Sequence, residues 1–380
     1  MSVQVSLKKQ FIFCTILLFL IIIIPEQISK IVIPEMETKS CIDVIIKSEV
    51  YTDLSKDKIT SLCKDYQSLK TLNTNDGSFA MIFPNQNFEH IKINSIGIRG
   101  DDISPKENQL RIIMIGGSTT FGSRSISDQT TIPLQLSKLF QSKFDDHVEV
   151  INAGIGGASS FNEIEFLEQK LLTLNPDVII VYDGWNDLVN PVVENSIKNV
   201  WKINAQIFLK DVESYFYLPR AIEKISHKIS SMIYLEIYGI QNLRYAQDSE
   251  EVFAKKAKLW SERWSFECDK LSLENVDVHI FLQPILGAGN KSYSEYESYL
   301  INDKSLQRVS QHYDLLRKEL PKLSEKCNSI NDISDVFDNV NVPIYFDLGH
   351  TSDLGNKIIA EKIFDKIYHD IEIQILNKNK

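Results

Sequence analysis

An α/β fold with a central parallel sheet is what this chain predicts, and three observations predict it. The apolar runs at residues 111–115 and 178–182 are continuous rather than alternating, as in strands covered on both faces. Strand and amphipathic helix follow one another repeatedly from residue 111 onward. Each strand then gives way to a polar, glycine-bearing loop: GGSTTFG, NAGIGGASS and DGWND. In open parallel sheets, ligands and nucleophiles gather at that carboxyl end.

The N-terminus is of another kind. Residues 11–24, FIFCTILLFLIIII, form an uncharged apolar run behind Lys8 and Lys9, the layout of a signal anchor or signal peptide. Ile28 to Ile33 extend it, with Glu26 and Lys30 at the interface. No small-x-small cleavage site follows, so the expectation is a single-pass membrane protein with an extracytoplasmic domain. Cleavage would make it a secreted protein, and a merely buried helix is the remaining alternative. Outside the cytoplasm disulfides persist. Cys14 lies in the apolar run, which leaves Cys41, Cys63, Cys268 and Cys327 for two bridges in any of three pairings, or four reduced thiols.

The expected organisation is an anchor with its flank at 1–35, a segment at 36–105 that wraps the core as short strands and loops, and an α/β domain at 106–375. Gly116 and Gly117 allow a sharp turn after the first strand and leave Ser118 exposed. A helix follows with Thr131 as N-cap and Ile132, Leu136, Leu139, Phe140 and Phe144 inward. A strand at 147–151 ends in the Gly154 to Gly157 cluster, and Ser160 with Glu163 reads as a capping box for a helix that buries Ile164, Leu167, Leu171 and Leu174. The third strand runs into Asp183, Gly184, Trp185, Asn186 and Asp187. The alternation then lapses at about 188–250, read as a helical insertion whose aromatics Trp201, Phe208, Tyr215, Phe216, Tyr217 and Tyr234 line a pocket or simply fill a core. A helix with Phe253, Ala257, Trp260 and Trp264 on one face leads to a strand at 276–282 and a further long helix. A last strand at 344–346 precedes Asp347 and His350, and Ser352 caps a final helix with Ile358, Ile359, Ile363, Phe364 and Ile367 inward.

Composition excludes several functions. The chain has 380 residues and a formal charge of −10, with no basic stripe for a phosphate backbone, so no nucleic-acid partner is expected. Its seven histidines show no HExxH spacing and its cysteines no CxxC pair, so neither metal nor cofactor is expected. A dinucleotide reading of Gly154 and Gly156 fails because Ser159 stands where the third glycine belongs.

Ester hydrolysis needs a nucleophile, a base, a group that orients the base, and donors for the oxyanion. Ser118 supplies a hydroxyl, His350 a base and Asp347 a carboxylate three residues before it; the amides of Ser118 and Gly157 and the side chain of Asn186 supply donors. Each has a bland alternative, a turn for the glycines and a helix cap for Asn186 and Asp187, but four independent loops carry the right types at the right end.

The motifs GGSTTFG, NAGIGGASS, DGWND and DLGHTSDLGNKIIA resemble blocks I, II, III and V of the SGNH (GDSL-type) hydrolase superfamily. The resemblance implies a three-layer α/β/α sandwich of flavodoxin-like type. It implies Ser118 as nucleophile, Gly157 and Asn186 as further oxyanion donors, and Asp347 and His350 as the rest of a triad. Gly117 replaces the aspartate of the GDS signature, and Thr120 stands where the last glycine of a GxSxG elbow belongs. The expected activity is cleavage of ester-linked acyl groups on envelope glycans or lipids. The alternatives are an acyltransferase of the same fold and a non-catalytic envelope binding domain.

Overall fold

The computed structural model describes residues 6–73, 80–190, 192, 216–219, 221–222, 224–226, 228–229 and 248–378. Five parallel strands make the sheet: β1 (Leu110–Gly116), β2 (Val148–Gly154), β3 (Val178–Asp183), β4 (Asp277–Leu282) and β5 (Ser329–Asp332), in the order β2-β1-β3-β4-β5. Gly116 pairs with Gly154 on one side and Tyr182 on the other, so the glycine-bearing ends of three strands lie level. The order reverses beside β1, and that switch point is where such sheets open a crevice.

Alternate side chains of the central strands feed two cores, which makes the architecture a three-layer α/β/α sandwich. Ile113, Ile115, Ile179, Val181 and Val278 pack with α5 (Ser160–Gln169), α7 (Glu250–Leu273) and α9 (Lys304–Leu323). Ile112, Met114, Val178 and Ile180 face the other way, onto α4 (Ile132–Phe144) and α10 (Asp353–Lys378). Burial of both faces is why these strands read as unbroken apolar runs.

The N-terminal run belongs to one helix, α1 (Leu7–Ser48), of 42 residues, whose most apolar window is unburied; it is long and apolar enough to cross a membrane. It carries Cys41 past the apolar run, which corrects the reading of this region as strands and loops. A second helix, α2 (Lys56–Ser68), packs against it, and a Cys41–Cys63 disulfide joins the two. Short ladders at Thr71–Asn73 with Ala80–Ile82 and at Gln86–Asn87 with Lys92–Ile93 are the strands of that segment among the described residues. The second disulfide, Cys268–Cys327, ties α7 to the turn after α9.

Three local expectations change. Thr131 occupies the N-cap position of α4, but its hydroxyl donates to Asp128 rather than capping an amide. The capping box before α5 is Ser159 with Asn162, because Ser160 and Glu163 turn inward. Residues 344–346 are not a strand of the sheet: the buried Glu297 carboxylate of α8 (Glu295–Ile301) accepts from the Ile344 and Tyr345 amides at 3.0 and 3.2 Å, taking the donors a neighbouring strand would need. The edge is β5 instead. Most of the insertion, with Trp201, Phe208, Tyr215 and Tyr234, lies outside the described residues. Tyr217 and Leu218 open a helical stretch there and donate their amides to Glu26 of α1 at 2.9 and 2.7 Å.

Candidate active site

The first turn after β1 is a short helix, α3 (Ser118–Phe121), with Gly117 at its N-cap, so the chain reverses just where Ser118 leaves the sheet. Gly117 is required by close approach: a Cβ there would overlap the Asn186 side-chain amide.

Ser118 is half-buried, and its hydroxyl lies 2.7 Å from His350 Nε2. His350 Nδ1 is 2.9 Å from each oxygen of Asp347. The Asp347 carboxylate accepts, so the Nδ1 position carries the hydrogen and Nε2 presents its lone pair to the serine hydroxyl. Asp347 Oδ1 also accepts from the amides of Gly349 and His350 at 3.1 and 2.9 Å. Burial opposes the charge on Asp347, yet the facing His350 and Arg124 outweigh it and hold the carboxyl well below the usual range. The loop is closed by backbone bonds from Phe346 to His350 and from Ser352 to Ile344, so histidine and carboxylate are carried on one tight turn.

Gly157 and Asn186 come to the same end of the sheet. Gly157 has φ +77°, in the region glycine favours, and a Cβ on it would meet nothing within 4 Å, so its surroundings are open. Asn186 lies in α6 (Trp185–Val189) after the N-cap Gly184; the cap position is therefore taken, and the amide is used elsewhere. Asn186 Nδ2 donates one hydrogen to the Ala158 carbonyl at 2.6 Å and keeps a second beside Gly117. Of the expected site residues, Ser118, His350 and Asp347 are thus joined by hydrogen bonds, Asn186 lies against Gly117, and Gly157 stands at the same end of the sheet.

Several partners of these loops carried no signal in the sequence. Arg124 Nη1 donates to Asp347 Oδ2 at 2.7 Å from a residue 223 positions away. Buried Arg99 donates to the carbonyls of Phe121 and Gly122 at 3.1 and 2.7 Å, capping α3 at its carboxyl end, and Tyr66 donates to Gly122 at 2.6 Å. The wrapping segment therefore grips the serine-bearing loop from outside. Asp187, beside Asn186, accepts from the Ser160 amide at 2.9 Å and so fixes the start of α5 behind the Gly157 turn. Among the described residues no group of three or more histidine, cysteine or carboxylate side chains is set to hold a metal ion.

The sandwich and the four loop motifs together carry the likeness. The chain resembles the SGNH hydrolases. No protein-family model matches it, and neither does any curated protein. Among solved structures, an acetyl xylan esterase, AlAXEase, is matched over 68% of this chain and 100% of its own at 17% identity and TM-score 0.38. A protein described as a GDSL-like lipase from Parabacteroides merdae is matched over 70% and 97% at 17% identity and TM-score 0.39. Axe2, an acetylxylan esterase from Geobacillus stearothermophilus, is matched over 68% and 94% at 15% identity and TM-score 0.37.

Proposed function

We propose that this protein is a membrane-anchored serine hydrolase that cleaves ester-linked acyl groups outside the cytoplasm, on envelope glycans or lipids. The observation that carries the reading is the continuous hydrogen-bonded chain from Asp347 through His350 to Ser118.

In this reading Ser118 attacks the acyl carbon while His350 Nε2 takes its proton. Asp347 holds the imidazole in the required tautomer and stabilises the imidazolium that forms. The carbonyl oxygen gains charge as the tetrahedral intermediate forms, and the amides of Ser118 and Gly157 with the free hydrogen of Asn186 are the donors for it. His350 then returns the proton to the leaving alcohol, and water repeats the sequence on the acyl-serine. Anchoring is supported by the unburied apolar window of α1 behind Lys8 and Lys9, and an oxidising compartment by the two disulfides.

The test is labelling of the full chain with a fluorophosphonate, alongside turnover of short-chain aryl esters. Wild type should take the label and turn over; Ser118→Ala should do neither and should still fold. A Ser118→Ala protein that keeps wild-type turnover removes the nucleophile from this scheme.

A further inference from the structure

The loop beyond Ser118 holds an arginine that the scheme above does not use. The backbone amides of its own turn reach Asp347 at Oδ1 only; at Oδ2 that turn offers just the His350 ring nitrogen the carboxylate must orient, 2.9 Å away. That second oxygen is held by Arg124 Nη1 at 2.7 Å. Without that bond the carboxylate can rotate about the remaining oxygen, while His350 Nδ1 needs it fixed.

Arg124 is itself held from several sides. Its backbone has φ +68°, a conformation unfavourable for a residue with a side chain and one that persists where the surroundings over-determine it. Its guanidinium lies 5.6 Å from the ring centre of Phe346, the residue before Asp347. Its carbonyl is 3.1 Å from the Tyr51 hydroxyl, and the Tyr51 ring meets Phe346 edge-on at 5.4 Å. Tyr51 follows the end of α1, and the Cys41–Cys63 disulfide joins α1 to α2. Phe346 is buried in the small core those two helices share.

We propose that Arg124 is a positioning residue for the Asp347–His350 pair, and that the segment following the N-terminal helix sets its place through Tyr51. The inference rests on the serine hydrolase reading above. The groups around Asp347 are His350 from its own turn, Arg124 from the serine loop and, one residue away, the Tyr296 hydroxyl of α8, which donates to the Phe346 carbonyl at 3.1 Å; Asp353 accepts from Tyr51 at 2.6 Å. Arg124 is therefore the one permanent cation among these groups, and its loss lets the Asp347 carboxyl rise. A purely structural ion pair would behave otherwise. The two side chains are 26% and 38% exposed, and pairs that open to solvent add little stability.

The experiment compares wild type and Arg124→Ala as full chains on a neutral aryl ester. Arg124→Ala should lower kcat roughly 10- to 100-fold with KM little changed, as expected when a reacting pair is misplaced by about an ångström. The acid limb of its kcat profile should move to higher pH, and millimolar guanidinium chloride should restore part of the loss where sodium chloride does not. Wild-type kcat with an unmoved acid limb overturns the proposal. So does a loss that guanidinium fails to restore and that tracks a fallen thermal midpoint. If Arg124→Ala does not fold, Arg124→Gln, which keeps a donor without the charge, is read by its kcat and acid limb alone, since its side chain fills the space guanidinium would take. Failure of the underlying reading looks different: wild type itself then neither turns over the ester nor takes the fluorophosphonate, and this inference falls with it.

Discussion

Two groups of carboxylates lie at the carboxyl end of this sheet, and their surroundings drive them in opposite directions. Asp347 stands on an outer turn with His350, Arg124 and two backbone amides around it, and its carboxyl is held well below the usual range. Behind the Asn186 loop, Glu163, Asp183 and Asp187 are sealed between α5, α6 and α7. Burial pushes the carboxyls of Glu163 and Asp187 well up; the charge of Asp183 adds to both, and that of Asp187 adds to the rise of Glu163. Asp183 is raised too, although the indole hydrogens of Trp260 and Trp264 both donate to its Oδ2 at 3.0 Å. Neither Glu163 oxygen has a hydrogen-bond partner among the described residues. Both settings hold donors, and Asp187 has Arg263 at 3.7 Å as well; what differs is whether the facing charges and donors outweigh the lost water. Where they do, the charge is available to chemistry. Where they do not, the group sits in the core as a neutral acid or a strained anion.

Exchanging carboxyl for carboxamide separates the two regions most sharply. Asp347→Asn should drop kcat by about 10⁴, because the amide no longer enforces the imidazole tautomer that Ser118 needs. Its thermal midpoint should move little. A variant that retains even a tenth of wild-type turnover would place Asp347 with the structural carboxylates rather than the chemical ones.

Asn186 tests the border between the regions, since it follows the buried Asp183 loop yet presents its amide at Gly117. Its spare hydrogen should meet charge that exists only after attack, so Asn186→Ala should lower kcat by roughly 10² to 10³ with KM little altered. Asn186→Asp should be no better, because a carboxylate has no donor and repels the oxyanion. Full turnover in the aspartate variant removes Asn186 from the site.

The comparison also explains what the sequence made legible. The strands were readable because both faces are buried, and the loops because glycines and hydroxyls interrupt those runs together. The edge strand β5 was not, since Ser329, Asn331 and Asp332 are polar and the strand is only partly covered. Residues 344–346 read as a strand because three apolar residues look alike whether their amides meet a neighbouring strand or the Glu297 carboxylate. Ser118, Asn186 and His350 announce themselves through their own loops. Arg124, Arg99 and Tyr51 do not, because each matters through a partner distant in the chain, and spacing carries no trace of such pairs. Glu163 is the instructive miss: at the sequence level it completes a capping box, whereas the structure buries it against two aspartates.

The smallest expected effect on chemistry comes from the sealed side, and there the readout is stability. Glu267 lies on the same helix as Trp260 and Trp264, with a fully buried side chain. Burial raises its carboxyl to about 7; Lys270 at 3.7 Å opposes the rise and Glu168 adds to it. The folded protein thus holds this proton more tightly than the unfolded chain, whose glutamates titrate at about 4.3. The stabilisation is complete below that unfolded value and is lost as pH rises through about 7. Wild type should therefore show a falling thermal midpoint across that window. Glu267→Gln cannot titrate and should flatten this part of the curve, holding its midpoint on the alkaline side while kcat stays at the wild-type level. Glu163→Gln should act in the same direction, since its carboxyl is raised by burial and by Asp183 and Asp187. A kcat that falls in either variant as it does in Asp347→Asn would mean that the buried acids serve the reaction, and the division between the two regions would not stand.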